Sequence, residues 1–330
     1  MNEMRAALYD RYGPPEVLYE GSVPVPVPAP GEVLVRVHAV GVNGGELYGR
    51  AGRLRLVTGR RFPQRMGIDF VGEVTEVAGA DGSARRAGRA GAAPGPRVGD
   101  RVWGGLGRRL GSAAEYVAVR PRQISPAPGN LTPAEAVSIL AGGTTSLTAL
   151  RDKARLKPGE RLLVRGGSGG VGSVAVQIGK MFGAHVTALA GPKNLDFVRE
   201  LGADEVIDYT TTRGPELGSF DVVMDTVGTE LRSFRGLLAP GGRMVGVSFD
   251  TDHLVSSLGY ILGSAVHGTG RVRFFSGNPR HALLAELAGY ARDGAVRPVL
   301  DTARPLSDIA AAHRALEAGG VRGKHVVEIG

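Results

Sequence analysis

Three glycines, Gly167, Gly169 and Gly172, carry the most chemical information in this chain of 330 residues. They stand as Gly-x-Gly-x-x-Gly within Gly166-Gly167-Ser168-Gly169-Gly170-Val171-Gly172. The apolar run Arg161-Leu162-Leu163-Val164 before them reads as a strand. The stretch from Val171 to Phe182 after them has helical apolar spacing. In that context the first glycine permits a tight turn and the second lets backbone approach a pyrophosphate. The third lets the helix pack on the strand. The helix N-terminus offers N–H groups and the positive end of its dipole to phosphate. The backbone of Gly167, Ser168, Gly169, Gly170, Val171 and Gly172 is therefore the expected cradle of a dinucleotide. With 52 glycines in the chain, spacing alone matches by chance, so the flanking strand and helix carry the assignment.

Ribose choice is read about 20 residues further on. A site for the 2′-hydroxyl form wants Asp or Glu after the second strand. Here His185-Val186-Thr187-Ala188-Leu189-Ala190 ends in Gly191-Pro192-Lys193-Asn194, with no acid and one cation. A carboxylate would repel a 2′-phosphate and Lys193 would attract it, so the expected cofactor is NADPH. As a mere surface residue Lys193 would be oddly placed, because cations are disfavoured at helix N-termini. Tyr209, after the strand Val206-Ile207-Asp208, is either a further contact on the adenosine side or a cover for the sheet edge. The remaining contacts belong at the carboxyl ends of later strands, at Val227 and at Val247-Ser248-Phe249.

Strands and helices alternate from residue 133 to 247, which implies a parallel sheet covered by helices. The expected strands are 161–165, 185–190, 205–208, 220–225 and 242–247. The expected helices are 133–142, 144–154, 170–182, 193–201 and 229–238. Thr132-Pro133-Ala134-Glu135 marks a helix start, with Thr132 as cap and Glu135 closing the box. Before residue 122 there are several short strands without long helices, the pattern of a small barrel. Among them, Val33–Val40 alternates with period two. The stretch Ala78–Pro96 lacks the apolar residues to bury itself and reads as a surface loop. The tail adds a helix near 307–318 and the strand His325-Val326-Val327-Glu328-Ile329, expected to rejoin the barrel. The fold class is α/β: a doubly wound parallel-sheet (Rossmann) domain over 123–276, and a discontinuous β-barrel domain over 1–122 and 277–330.

Composition narrows the function classes. Lys and Arg total 40 against 32 Asp and Glu, a formal charge of +8. Only five of the cations are lysine, and the arginines are scattered apart from a cluster between Arg50 and Arg109. No basic patch interleaved with aromatic residues accompanies them, so no nucleic-acid partner is expected. The absence of cysteine excludes disulfides, Cys-ligated zinc and a thiol nucleophile. No signal-like core or long apolar run occurs, so no membrane association and a cytoplasmic location are expected.

The chain resembles the zinc-free quinone oxidoreductase (zeta-crystallin-like) and enoyl reductase group of the medium-chain dehydrogenase/reductase superfamily. The stretches that carry the resemblance include Gly41-Val42-Asn43, Gly67-Ile68-Asp69-Phe70-Val71-Gly72, Gly99-Asp100-Arg101-Val102 and Ala141-Gly142-Gly143-Thr144-Thr145. Leu201-Gly202-Ala203-Asp204, Asp221-Val222-Val223-Met224-Asp225 and Gly323-Lys324 extend it nearly end to end. Zinc relatives carry Gly-His-Glu where this chain has Gly67-Ile68-Asp69, so no metal is expected. The resemblance implies a GroES-like barrel, a cleft between the domains, and a homodimer. It implies hydride transfer from NADPH to a quinone or α,β-unsaturated carbonyl. An enoyl thioester or a polyketide-like intermediate is the alternative substrate, and a non-catalytic NADPH-binding protein the alternative role. By the family's pattern Asn43 borders nicotinamide and substrate, Thr145 contacts the nicotinamide end, and Lys324 belongs to the cofactor site. Tyr48 is the nearest hydroxyl for proton donation, or else packs its loop. Glu46 stands where relatives carry an acid and is expected to make structural hydrogen bonds. Phe275 is expected to line the substrate pocket, and Trp103 either lines it too or, as a lone tryptophan after a strand more often does, packs in the core. Gly44-Gly45 replace the usual proline after the asparagine, which loosens that loop.

Overall fold

The computed structural model describes residues 2–59, 61–79, 95–107, 109–212, 214–248, 272–275 and 277–330. Most of the expected loop Ala78–Pro96, and Phe249, lie outside the described residues.

Sixteen strands occur among them. The N-terminal part holds β1 (Glu3–Tyr9), β2 (Tyr19–Pro24), β3 (Val33–Gly41), β4 (Gln64–Arg65), β5 (Asp69–Val77), β6 (Arg101–Gly105), β7 (Tyr116–Val119) and β8 (Ile124–Pro126). The middle holds β9 (Arg161–Arg165), β10 (His185–Ala190), β11 (Glu205–Asp208), β12 (Phe220–Asp225), β13 (Leu238–Gly246) and β14 (Val272–Phe274). The tail holds β15 (Leu300–Pro305) and β16 (Lys324–Glu328).

The middle strands form one sheet in the order β11-β10-β9-β12-β13-β14, with every neighbouring pair parallel. The chain direction across the sheet reverses between β9 and β12, and ligands sit at such a switch point in doubly wound folds. The interior strands are apolar on both faces because helices cover both; Leu162, Leu163, Val164, Val222, Val223 and Met224 have no exposed surface.

The second body joins β15-β16-β3-β5-β6-β8 in one sheet, with β7 on β3, and β2-β1-β4 in another. The last strand β16 pairs antiparallel with β3 through Val326 opposite Gly41, so the chain's end lies beside its catalytic-loop candidate. A core including Val35, Val37, Phe70, Val74 and Val327 fills this body.

Two sequence expectations need correction. The helices expected at 133–142 and 144–154 are continuous: an α-helix over Pro133–Leu147 runs into a π-helical turn over Thr148–Ala154. Gly142-Gly143 does not break the helix, because tertiary contact demands those glycines. A Cβ on Gly142 would stand 2.2 Å from the Gly170 carbonyl oxygen. The capping box at its start forms as read, with Glu135 N–H donating to Thr132 Oγ1 at 3.3 Å and Thr132 N–H donating to Glu135 at 2.8 Å. The helix expected from 229 to 238 shortens to Leu231–Arg235, since β13 begins at Leu238 rather than 242.

Candidate functional site

The glycine loop is built as its spacing requires. Gly166 takes a left-handed φ of 78° to turn off β9, a conformation costly for any side chain. Gly167 N–H donates to the Leu189 carbonyl at 2.8 Å, tying the turn to β10. A Cβ on Gly172 would stand 2.0 Å from the Gly166 carbonyl oxygen, so helix Gly172–Met181 can begin there only with glycine. A Cβ on Gly169 would meet only the Gly166 carbonyl oxygen within 4 Å, at 3.7 Å. Its hydrogen face is open toward the cavity it lines, where a pyrophosphate would lie. The helix has neither a side-chain cap nor an acidic residue in its first turn, which leaves its positive end available.

That cavity has a volume of about 870 Å³ and includes Gly166, Ser168, Gly169, Leu189, Tyr209, Thr226 and Val227 in its lining. The expected cofactor residues Ser168, Gly169, Tyr209 and Val227 thus meet in one space at the carboxyl ends of the sheet. Val247 and Ser248 follow β13, and the Val247 N–H donates to the Asp225 carbonyl at 3.0 Å. Gly170 and Val171 face the other way, toward the barrel and helix Pro133–Leu147. The Ser146 hydroxyl donates to the Val171 carbonyl at 3.4 Å, so Thr145 is held one residue from the phosphate loop's partner.

Lys193 is exposed in the short turn Pro192–Asn194, and its ammonium has no ion-pair partner among the described residues. One neighbour escaped sequence reasoning. Arg322 donates through Nη2 to the Lys193 carbonyl at 2.7 Å and through Nε to Asn194 Oδ1 at 3.0 Å. Asn194 in turn donates to Ser168 Oγ at 3.2 Å. Arg322 therefore adds a second cation at the end of β10, from 129 residues away in sequence. A basic residue directly before Gly323-Lys324 was the only signal, and its partner lies on another domain.

Lys324 sits against the phosphate loop but outside the lining of that cavity. The Gly323 N–H donates to the Ser168 carbonyl at 2.7 Å, so the backbone here docks on the phosphate loop. The side chain then runs away from the cavity. It passes between Gly170 and Gly41, where added Cβ atoms would stand 3.0 Å from its Cδ and 2.7 Å from its Cε. Its buried ammonium ends on Asn43 Oδ1. Asn43 Nδ2 donates to Glu46 Oε1 at 2.8 Å, to the Gly41 carbonyl at 3.1 Å and to Asp69 Oδ1 at 3.2 Å. Both amide protons of Asn43 therefore point inward.

Glu46 and Asp69 are almost fully buried. Burial pushes the Glu46 carboxyl up to about 8, against the hydrogen bond from Asn43 that favours its charged form, with the nearby Asp69 charge adding to the rise. Burial likewise raises Asp69, opposed chiefly by the charge of Lys324, and lowers Lys324, opposed by the two carboxyl groups. One cation shared by two buried acids holds the Asn43 loop by charge and hydrogen bonds. Glu46 is structural in this arrangement, since its other oxygen accepts the Gly67 N–H at 3.2 Å. Tyr48 is half-buried two residues past Glu46, on the helix Gly44–Arg50.

Trp103 does not line the pocket. It has no exposed surface and donates its indole N–H to Ser125 Oγ at 2.9 Å. Its position in β6 between Val71 and Ser125 makes it part of the core between the two bodies. Phe275 does line a cavity, of about 220 Å³, with Thr144, Thr148, Asn278 and Pro279.

Comparison with known proteins agrees with this geometry. Residues 29–129 match the alcohol dehydrogenase GroES-like domain, and 201–327 match the family described as zinc-binding dehydrogenase. The chain is 32% identical to the 2-methylene-furan-3-one reductase of Solanum lycopersicum, over 99% of this chain and 79% of that protein. It is 30% identical to a chloroplast envelope quinone oxidoreductase homolog of Arabidopsis thaliana, over 98% of each. The solved quinone oxidoreductase of Coxiella burnetii superposes with a TM-score of 0.83 at 27% identity, covering both chains fully. No helix among the described residues is long and apolar enough to cross a membrane. With a glycine cradle at the sheet's switch point, a barrel closing over it and these relatives, the chain belongs to the medium-chain dehydrogenase/reductase superfamily, beside its quinone oxidoreductases, and is an NAD(P)H-dependent oxidoreductase.

Proposed function

We propose that this protein is an NADPH-dependent reductase of quinones or α,β-unsaturated carbonyls that works without zinc. The observation that carries the cofactor choice is the pairing of Lys193 with Arg322 at the end of β10, with no carboxylate in the Gly191–Asn194 turn. Two cations favour a 2′-phosphate there, and Arg322 is already fixed by Asn194 and Lys193 before any ligand arrives. Tyr209 lies beside Gly191, its hydroxyl 3.5 Å from where a Cβ would be, and can flank the adenosine.

A bound NADPH supplies hydride at the nicotinamide. The chain's own work is to seat it and to manage charge on the acceptor. The glycine loop and the uncapped helix hold the pyrophosphate. Thr145 and Asn43 border the nicotinamide end. Because the Asn43 N–H groups serve Glu46, Asp69 and Gly41, Asn43 shapes the pocket, and proton donation falls to Tyr48 or to solvent. The chain has no cysteine, and Ile68 stands where the zinc relatives carry histidine, which supports a metal-free reaction. A homodimer in the cytoplasm belongs to the same reading, and sedimentation analysis checks the dimer.

The test is stopped-flow oxidation of NADPH and NADH against a panel of quinones and enones. We expect turnover with NADPH and a clear preference over NADH. Bound cofactor with no oxidation by any acceptor overturns the reading.

A further inference from the structure

The helix Gly44–Arg50, which carries Tyr48, is tied at both ends to one short segment of chain, residues 318–323. At the helix start, the N-cap residue Asn43 accepts the Lys324 ammonium. At the helix end, the buried Arg50 donates through Nη2 to Glu317, the last residue of helix Ile309–Glu317. Glu317 and Lys324 bracket the segment. A buried guanidinium parted from its carboxylate is costly, so a shift at Glu317 is passed on to Arg50 rather than absorbed between them.

The bracketed segment is a strap along the cofactor cradle. Gly319, Gly320 and Val321 line the dinucleotide cavity. Arg322 holds the Lys193 carbonyl and Asn194 Oδ1. The Asn194 amide donates back to the Gly320 carbonyl at 3.3 Å and to Ser168 Oγ at 3.2 Å. Gly323 forms a parallel bridge with Gly169 of the phosphate loop. The two ends of the strap differ in freedom. A Cβ on Gly323 would stand 2.2 Å from Val299 Cγ1, so that end is packed. Gly319 and Gly320 hold left-handed φ angles of 72° and 70°, yet added Cβ atoms would meet nothing within 4 Å. Two such glycines in open space form a hinge beside Glu317.

We propose that the strap makes the adenosine end of the cofactor a positioning element for the acceptor site: a 2′-phosphate on Lys193 and Arg322 settles the strap on the cradle, and Glu317 and Lys324 then set the Gly44–Arg50 helix, with Asn43 and Tyr48, against the acceptor. The inference rests on the NADPH reading and adds a coupling between the part of the ligand that carries no hydride and the place where the hydride lands. Coupling of two sites requires an element whose arrangement both of them bias, and the strap touches both. Glu317, Arg322 and the hinge glycines are positioning residues in this scheme and act through the helix.

Hydrogen exchange read by mass spectrometry tests the coupling without turnover. Adenosine 2′,5′-bisphosphate carries the 2′-phosphate and no nicotinamide. At saturation, set by calorimetric titration, it should slow amide exchange in residues 43–50 of the wild type about tenfold. Saturating adenosine 5′-monophosphate, which lacks the 2′-phosphate, should slow it less. Arg50→Met/Glu317→Ala removes the tie without leaving a buried charge, and neither residue lines the dinucleotide cavity. This variant should bind the bisphosphate as the wild type does and lose the protection at 43–50. With reduced nicotinamide mononucleotide as hydride donor and menadione as acceptor, the bisphosphate should raise kcat/KM for menadione about tenfold in the wild type and not in the variant. Bisphosphate bound without protection at 43–50 in the wild type overturns the strap and leaves the NADPH reading standing. Protection equal with the monophosphate, or retained in the variant, does the same. No binding of the bisphosphate overturns the NADPH reading and the coupling with it. If NADPH itself does not reduce menadione, the quinone reading fails, and hydrogen exchange decides the strap alone.

Discussion

Lys324 and Asn43 meet ammonium to amide oxygen inside the barrel, although 281 positions separate them in sequence. The backbone before Lys324 is bonded to Ser168 of the phosphate loop at 2.7 Å. One residue therefore ties the cofactor cradle to the loop beside the substrate. Changing Lys324 to Met leaves the buried Asp69 without its cation, which costs about 3 kcal/mol or more. We expect a lower Tm by differential scanning fluorimetry and a kcat loss larger than the loss of NADPH affinity. Adding Asp69→Asn to that variant should recover part of the Tm. No recovery would show that the two groups do not share charge.

The raised Glu46 carboxyl makes a stability prediction with a definite sign. Its usual value is 4.5 and its folded value about 8. Between these the folded state keeps a proton that the unfolded chain has released, so stability falls as pH rises across that window. Glu46→Gln removes this contribution. Melting curves from pH 5 to 9 should show the variant gaining on the wild type as pH rises. Parallel curves would contradict the assignment.

The second and third glycines of the fingerprint should separate binding from folding. Gly169→Ala adds a methyl with open space around it in the protein, so the Tm should hold while NADPH binding weakens about tenfold or more. Gly172→Ala places a methyl 2.0 Å from a backbone oxygen, so the Tm should fall. Fluorescence titration of NADPH beside thermal melts distinguishes the cases. Equal losses of Tm in both would remove the distinction between cradle and packing glycine.

Cofactor discrimination should respond to both cations. Lys193→Glu and Arg322→Glu are each expected to weaken NADPH more than NADH. Arg322→Glu should have the larger effect, since it also loses the bonds to Asn194 and to the Lys193 carbonyl. Kd values for both cofactors check this. Unchanged ratios in both variants would mean the 2′-phosphate lies elsewhere.

Trp103→Phe tests a core role against a pocket role. Loss of the hydrogen bond to Ser125 and of ring volume should lower the Tm, with KM for the acceptor unchanged. A changed KM would return Trp103 to the pocket.

The sequence alone determined what local periodicity and local backbone demand can encode. The strands 161–165, 185–190, 205–208 and 220–225 have the bounds that their apolar runs and turns mark. The glycine spacing specified the turn, because each glycine answers a contact within a few residues or on the next strand. The missing acid before Lys193 is equally local. Tertiary structure decided what depends on distant partners. Gly142-Gly143 reads as a helix break until Gly170 is seen to need that space. Trp103 reads as either a pocket or a core residue until Ser125 is found beside it. Arg322 and Lys324 are cations two positions apart in sequence, yet one turns to the Lys193 carbonyl after β10 and the other to Asn43. Which way each goes is set at Gly323, whose left-handed φ of 83° turns the backbone between them just before β16, and by partners on two bodies, and no window of sequence contains both bodies.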